Sequence, residues 1–347
     1  MAHTFLTLTL MFSSYTCYFL LQASTISETD CIVRQGNWWR HESVPLPNIP
    51  GVDMVGKIYD IKYRDSARYD LHRCQTVLSL VKWGGNARYA PVPPSHLVKV
   101  PDAVDPAQAA CLPETYLTAF QVLHFGQLGA IRYRENSLRG KAVLIVGSMA
   151  DNMGRAIIDL ALNAGAANIY ATAKKKHWST LIGLGIMPLS QDPFEWILRL
   201  EGVIDLVIAS NGGLREDVTA THCRALTETG HLILSGNRLV GNDITVGDWR
   251  LQQSQLICSK NKTLSGLMNR THSYDVFEQW EKNLDTCKKD LTHLLELLER
   301  GVIKPNVLDR IPLSKVGKAH EMLESKRLSG FLVCEPWLKT KKRAVYL

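Results

Sequence analysis

The sequence lacks the short cysteine spacings that mark structural zinc sites and redox dithiols. Its eight cysteines are spread over 347 residues, and no two of them lie within four residues of each other. The absence of C-x-x-C argues against a zinc knuckle and against a thioredoxin-like site. The even count permits disulfides, but a chain of this length can bury a large core without them, and we expect free thiols.

The sequence also has no clean apolar run long enough to span a bilayer. Residues 5–25 are apolar and uncharged, but Ser13, Ser14 and Thr16 interrupt them. No lysine or arginine precedes this stretch, so the basic start of a secretory signal is missing. Three interpretations stay open: a weak signal peptide, a poor membrane anchor, or a buried strand with a shortened start. We favour the strand, and we expect no stable membrane insertion and a cytoplasmic location.

The basic residues are concentrated in only two short clusters. The formal net charge is +7, and the basic residues are scattered apart from Lys174–Lys176 and a C-terminal tail with Lys339, Lys341, Lys342 and Arg343. Proteins that bind nucleic acid usually gather such charge on one face, so we expect no nucleic-acid partner. The length favours two domains.

From Lys141 onward, apolar strands alternate with helical segments. Strands are predicted at 141–147, 168–173, 185–190, 203–210 and 231–237, with a sixth possible at 262–268; helices are predicted at 153–166, 177–185, 194–202 and 214–230. This alternation is typical of an α/β fold with a doubly wound parallel sheet. Such sheets bind ligands beyond the carboxyl ends of their strands.

The region before this alternation has a sequence pattern typical of strands and turns. Residues 78–93 predict two short strands about a Gly-Gly turn. A helix is predicted to begin at Pro106 with Asp105 as its cap. Near the end, helices are predicted at 274–301 and 315–328, followed by a strand at 331–336.

Several short motifs carry a resemblance to a known family. They are DCIVRQG, PNIPGVDMVG, WGGNARYAPVP, LPETYLTAFQVL, IDLVIASNGG, ERGVIKPNV, AHEMLES and SGFLVCEP. Each motif is weak by itself, but in this order and spacing they resemble the medium-chain dehydrogenase/reductase superfamily, in its zinc-free branch of quinone oxidoreductase-like and enoyl reductases.

The resemblance implies a GroES-like, β-rich catalytic lobe into which a Rossmann domain is inserted. It places the catalytic lobe at 18–125, the dinucleotide-binding domain at 126–270 and the return to the catalytic lobe at 271–336. An atypical hydrophobic segment, 1–17, would precede them and a basic tail, 337–347, would follow. The active site would lie in the cleft between the two domains, and a homodimer is possible.

The residues at the positions of the family's zinc ligands are unsuited to zinc. They are Ser27 and Val52, where zinc-dependent relatives have cysteine and histidine. Without the metal's polarisation of an alcohol, the resemblance implies hydride transfer to an already activated alkene or quinone. The expected substrate is therefore a small molecule with such a double bond, and no metal is expected.

The lysines after the second predicted strand point to NADPH. A free 2′-hydroxyl on the cofactor favours an acid at this place, whereas a 2′-phosphate favours cations. The sequence ATAKKKHW has no acid here, and Lys174 and Lys175 directly follow the strand. A solvated helix start is the alternative, although lysines there oppose the helix dipole.

The predicted phosphate loop runs from Gly147 and Ser148 to Gly154 and Arg155. Relatives have further glycines between these positions, where this chain has Ala150, Asp151 and Asn152. Side chains limit the approach of the backbone to phosphate, and a carboxylate repels it. Arg155 could offset this repulsion. Asp151 either caps the helix and faces away, which we favour, or disrupts phosphate binding.

The remaining candidate residues come from the resemblance and from strand ends. Trp38 stands where enoyl-thioester reductases have a tyrosine proton donor, and it would stack on substrate or fill core. Thr118 would lie by the nicotinamide or cap a helix. Asn211 and Gly236 would border the nicotinamide ribose, while Phe331 replaces a usual cofactor-side lysine. These departures keep an alternative open, a catalytically impaired protein that binds nucleotide or a partner.

Overall fold

The computed structural model describes residues 17–38, 43–125, 137–147, 152–209, 221–235, 270–325 and 328–339. In chain order the strands within them are β1 (Cys17–Ile26), β2 (Asp53–Asp60), β3 (Thr76–Leu80), β4 (Tyr89–Val92), β5 (Val98–Lys99), β6 (Ala142–Val146), β7 (Asn168–Thr172), β8 (Met187–Leu189), β9 (Ile204–Ala209), β10 (Leu226–Ser235), β11 (Thr271–Tyr274), β12 (Val307–Pro312) and β13 (Phe331–Glu335).

The described α-helices alternate with these strands and cover the sheets. They are α1 (Glu28–Arg34), α2 (Tyr63–Tyr69), α3 (Pro106–Ala109), α4 (Leu117–Leu123), α5 (Asn152–Asn163), α6 (Trp178–Gly183), α7 (Ile197–Leu200), α8 (Val276–Lys282), α9 (Leu284–Glu299) and α10 (Val316–Ser325). A π-helical turn, Leu112–Tyr116, runs directly into α4. The predicted cap of α3 is confirmed, because the Asp105 side chain accepts the Ala107 N–H.

The first sheet joins the two ends of the described chain. Its order is β12-β13-β1-β2-β3-β5, and β4 pairs with the first residues of β1. The chain therefore returns at β12 and β13 to the sheet in which it began. This is the mixed, GroES-like lobe that the resemblance implied, and the predicted buried strand before DCIVRQG is β1, whose Phe19, Leu21 and Ala23 are fully buried.

The second sheet is parallel, with the order β11-β10-β9-β6-β7-β8. Each described pair in it is parallel, from β7–β8 at one end to β10–β11 at the other. The chain reverses direction across the sheet between β6 and β9, which is the Rossmann arrangement and sets a ligand crevice at the carboxyl ends of these two strands. One apolar cluster, with members such as Leu78, Val143 and Val333, connects the two sheets.

Two predictions of local structure need correction. The helix predicted to run to Gly230 ends earlier, because β10 already begins at Leu226 and pairs there with Ile204 of β9. The β-branched Thr227 and Thr229 suit a strand, and a register shift between Leu226 and His231 accommodates the irregular pairing. Residues 214–220 and the possible strand at 262–268 lie outside the described residues; the sixth described strand of this sheet is β11.

The strands about the Gly-Gly turn exist but do not pair with each other. β3 pairs with β2 and β5, whereas β4 pairs with β1. Gly51 and Gly85 approach so closely that a Cβ on Gly51 would lie 2.6 Å from the Gly85 Cα. This turn therefore packs against the segment before β2 and is not a hairpin. Within the described ranges no helix is long and apolar enough to cross a membrane.

Candidate functional site

A cleft of about 610 Å³ lies between the parallel sheet and the return segment of the first sheet. Its walls come from the first turn of α5 and from α6, from α3 and the π-helical turn, and from β12, the start of β13 and the segments before them. The lining residues are Asp105, Gln108, Tyr116, Asn152, Arg155, Thr180, Lys304, Pro305, Asn306, Val307, Arg310, Ser329, Gly330 and Phe331. Its Rossmann side is the first turn of α5, the helix that follows β6 in the chain.

The Rossmann side of the cleft is the start of α5. Gly147 ends β6 with a φ of 137°, which a residue with a side chain rarely adopts, and its N–H lies 3.2 Å from the Thr172 hydroxyl. Gly154 is buried in the first turn of α5. Arg155 lines the cleft one residue later.

Arg155 is oriented by a hydrogen-bonded chain that crosses between the two parts of the molecule. Its Nε donates to Asp159 Oδ1 at 2.9 Å, and the Tyr116 hydroxyl donates to Asp159 Oδ2 at 3.1 Å. Burial raises the pKa of the Asp159 carboxyl, and the opposing effects of Arg155 and Tyr116 favour its charged form. The chain thus fixes one cation of the cleft relative to the π-helical turn of the catalytic lobe.

The opposite wall is held together by backbone contacts. The Phe331 N–H donates to the Asn306 carbonyl at 2.8 Å, and the Asn306 side chain donates to the Ser329 carbonyl at 2.9 Å. Gly330 has a φ of 146°, and a Cβ there would lie 2.9 Å from Asn306. Phe331 is buried beside Tyr116, so the cation expected at this position is replaced by an apolar ring.

Three cations line the cleft, and their partners differ. Arg310 pairs with Asp105 and Glu335, and Arg155 pairs with Asp159. Lys304 is exposed and forms no ion pair with another described residue. Arg155 is engaged with Asp159 through its Nε, so its other guanidinium nitrogens and the Lys304 ammonium are the donors of this cleft that face an anionic ligand.

Lys174 and Lys175 follow β7 as predicted and are exposed. The turn that carries them is fixed by the Trp178 indole, which donates to the Ala173 carbonyl at 3.0 Å. Neither lysine forms an ion pair in the described part of the chain. The two ammonium groups thus stand at the end of the second Rossmann strand, outside the 610 Å³ cleft.

The structure places the two predicted catalytic residues in packed surroundings. Trp38 is 5% exposed and lies edge-on to Trp83 and Phe277, with ring centroids 6.1 and 5.1 Å away. The Thr118 hydroxyl donates to the Glu114 carbonyl one turn earlier, so Thr118 is inside continuous helix and caps nothing. Neither residue lines the cleft.

Four positions of the predicted site lie outside the described residues. They are Ser148, Asp151, Asn211 and Gly236. The prediction that Asp151 caps α5, and the assignments of the other three to the cofactor, therefore stay predictions.

The residues at the family's zinc positions do not fit a metal. Ser27 precedes α1, and Val52 is a fully buried apolar side chain. The neighbouring Asp53 already accepts the Thr25 hydroxyl and the Glu114 N–H, at 2.8 Å for the latter. No group of three or more metal-ligating side chains is arranged around a common point in the described ranges. We derive no step through zinc.

The resemblance placed Phe331 on the cofactor side, but sequence reasoning missed the rest of the return-segment side of the cleft. Lys304, Asn306 and Arg310 lie about 150 residues after α5, and no local pattern connects them to it. The one available signal was Gly330, a glycine directly before a predicted strand, where close approach of another backbone is a common reason for the residue.

Comparison with known proteins agrees with this architecture. Residues 190–333 match the family model described as "Zinc-binding dehydrogenase". The chain is 22% identical over 300 residues to a quinone oxidoreductase-like protein 2 homolog of Nematostella vectensis, covering 84% of this chain and 74% of that protein. It is 30% identical over 173 residues to the chloroplastic NADPH-dependent alkenal/one oxidoreductase of Arabidopsis thaliana, covering 47% and 41%.

Solved structures show the same fold. The quinone oxidoreductase from Coxiella burnetii superposes with a TM-score of 0.68 at 21% identity, over 95% of this chain and 93% of that one. Together with the split first sheet and the Rossmann strand order, this likeness shows the fold of the medium-chain dehydrogenase/reductases, and the sequence matches make the chain similar to quinone oxidoreductase-like proteins.

Proposed function

We propose that this protein is an NADPH-dependent, zinc-independent reductase that transfers hydride to an activated alkene or quinone. The observation that carries the proposal is the end of β7, where exposed Lys174 and Lys175 stand with no ion-pair partner among the described residues. A 2′-phosphate favours cations at this place, and a free 2′-hydroxyl favours an acid. The Arabidopsis relative, an NADPH-dependent alkenal/one oxidoreductase by name, supports the same cofactor and substrate class.

Each part of the described site has a role in this proposal. Lys174 and Lys175 would hold the 2′-phosphate, and the start of α5 with Arg155 would hold the pyrophosphate. When bound, NADPH supplies the hydride. The protein holds the two reactants in register and limits the water between them. The donor set at Ser27 and Val52 does not fit zinc, so the substrate's own electron-poor double bond must accept the hydride.

A second function is favoured by one observation. Trp38, the residue at the place of a proton donor, is packed against Trp83 and Phe277 and does not line the cleft. A protein that keeps the nucleotide site but lacks turnover would be a nucleotide-binding or interaction protein. Proton delivery from solvent would be sufficient for a quinone, so the packing of Trp38 does not exclude turnover. Measurement of turnover therefore separates the two functions.

Calorimetric titration of the full chain with NADPH and with NADH tests the cofactor. We expect NADPH to bind and NADH to bind more weakly. Charge reversal in Lys174→Glu with Lys175→Glu should weaken NADPH at least about tenfold, or about 1.4 kcal/mol. A matched control is Lys315→Glu with Lys318→Glu, which reverses two exposed lysines near the start of α10 and should leave affinity unchanged.

Oxidation of NADPH with a panel of quinones and enones tests turnover. Stoichiometric oxidation supports the reductase, whereas binding without turnover supports the nucleotide-binding alternative. If the folded chain binds neither nucleotide, both the assigned site and the cofactor are wrong. The predicted homodimer and the domain boundaries stay predictions.

A further inference from the structure

Three aromatic side chains form an exposed row on the outer side of the first sheet. Tyr59 is 60% exposed, Tyr89 53% and Trp337 45%. The ring centroids of Tyr59 and Tyr89 are 5.8 Å apart, and those of Tyr89 and Trp337 are 5.7 Å apart, both edge-on. We call this row the aromatic face. So large a cluster of exposed rings needs an explanation beyond the usual scattered apolar residue.

The strand register explains why these side chains point outward together. β1 lies between β2 and β4, with Leu20 opposite both Lys57 and Tyr89. The inward neighbours along these strands, such as Phe19 and Ile58, are fully buried. Because strand side chains alternate between faces, Lys57, Tyr59 and Tyr89 share the outer one with the half-buried Leu20.

Cations surround the aromatic face. The Arg88 guanidinium lies 5.0 Å from the centroid of the Trp337 ring, and Lys57 and Lys339 are exposed. The acids beside these rings in the sequence are engaged elsewhere, since Asp60, next to Tyr59, pairs with Arg73, and Glu335, two residues before Trp337, pairs with Arg310.

We propose that the aromatic face with its surrounding cations is a peripheral docking surface for anionic phospholipid. Tyrosine and tryptophan favour the membrane–water interface, where one end of each side chain is apolar and the other is wet. Lysine and arginine beside such rings are attracted to anionic headgroups. A second copy of this chain is disfavoured as the occupant, because two such basic faces would repel each other. The surface lies on the catalytic lobe and needs no helix that crosses the bilayer.

Co-sedimentation of the full chain with vesicles tests this proposal. We expect binding to phosphatidylcholine vesicles that contain phosphatidylserine, and little binding to pure phosphatidylcholine. Raising the salt from about 0.1 to 0.5 M should release the protein, because the Debye length falls well below the roughly 10 Å that holds at 0.1 M. Each of Lys57→Gln and Lys339→Gln should weaken partitioning about fivefold.

The aromatic contribution is tested by Tyr59→Ser with Tyr89→Ser, which spares Trp337 because its indole donates to the Leu21 carbonyl at 2.8 Å. The matched control is Phe194→Ser, an aromatic residue of similar exposure, 59%, in the Rossmann part. Loss of binding in the double variant but not in the control supports the docking surface. Equal binding to both vesicle types, no binding by folded wild-type protein, or dimerisation that the double variant abolishes would each overturn it.

Discussion

Asp30 and Asp53 are buried carboxyls held by neutral hydrogen-bond donors. Asp30 accepts the Gly51 N–H at 2.8 Å and the Ser27 N–H at 3.1 Å. Burial raises the pKa of Asp30 to about 7, and burial together with the nearby Glu114 raises the pKa of Asp53 well above its usual value. These groups favour their protonated forms in the folded state, so their contribution to stability is lost as the pH rises.

These two carboxyls should therefore make the free energy of unfolding fall as the pH rises from about 4, their unfolded pKa, towards the folded pKa of about 7 of Asp30. The five histidines whose pKa is lowered oppose this change, because near pH 6.5 the unfolded chain binds more protons on them than the folded one. Comparison with a variant therefore separates the carboxyl contribution from theirs. Each carboxyl still protonated in the folded state contributes up to about 1.4 kcal/mol per pH unit. Urea unfolding across this range should give a more positive slope of the free energy of unfolding against pH for Asp53→Asn than for the wild type. The asparagine keeps an acceptor for the Glu114 N–H. Asp60→Asn, at the exposed end of the same strand, should leave the slope unchanged, and an unchanged slope in Asp53→Asn would contradict the prediction.

At the scale of elements, α4 is tied to the Rossmann part through one buried amide. Gln121 is fully buried; its Nε2 donates to Asp290 of α9 at 2.7 Å, and its Oε1 accepts the Tyr274 hydroxyl of β11 at 2.6 Å. Burial raises the pKa of Asp290 to about 6. Both the N–H and the oxygen of the carboxamide are hydrogen-bonded. Its removal therefore deprives the Asp290 carboxylate and the Tyr274 hydroxyl of this partner.

Gln121→Met should destabilise the protein by about 2–4 kcal/mol, because it keeps the side-chain volume and removes both hydrogen bonds. The change in the midpoint of urea unfolding at constant slope measures this. Gln191→Met, at an exposed loop position after β8, is the control and should change stability by less than about 0.5 kcal/mol. A loss of similar size in both variants would show that the buried amide has no special role.

Helices and strands could be predicted from the local sequence wherever a single hydrophobic periodicity dominated the segment. The helix cap at Asp105 and the strands that became β6, β7 and β9 each carry a signal within about ten residues. The start of β10 does not, since Leu226–Gly230 are compatible with a helix end and become strand only through pairing with β9. Tertiary pairing decides such segments, and sequence period alone cannot.

At the scale of the whole molecule, the order of weak motifs sufficed to predict the fold, because each motif fixes one element and the spacing fixes their connection. The cleft was less accessible to prediction. Lys304 and Asn306 meet the start of α5 only because β12 and β13 return to the first sheet. That return is a property of the topology, and it appears in no contiguous stretch of sequence.

The cleft should respond as one unit when NADPH binds. If the cofactor lies between α5 and the return segment, hydrogen exchange should slow in residues 152–156 and also in residues 304–307 and 329–331, because both walls lose access to water. At a cofactor concentration 100 times its dissociation constant, the folded state should gain about 2.7 kcal/mol. Lys304→Gln should reduce the protection in the return segment and leave the exchange of β1 and β2 unchanged. Protection confined to residues 152–156 would show that the cofactor lies on the Rossmann part alone and that the return segment does not contact it.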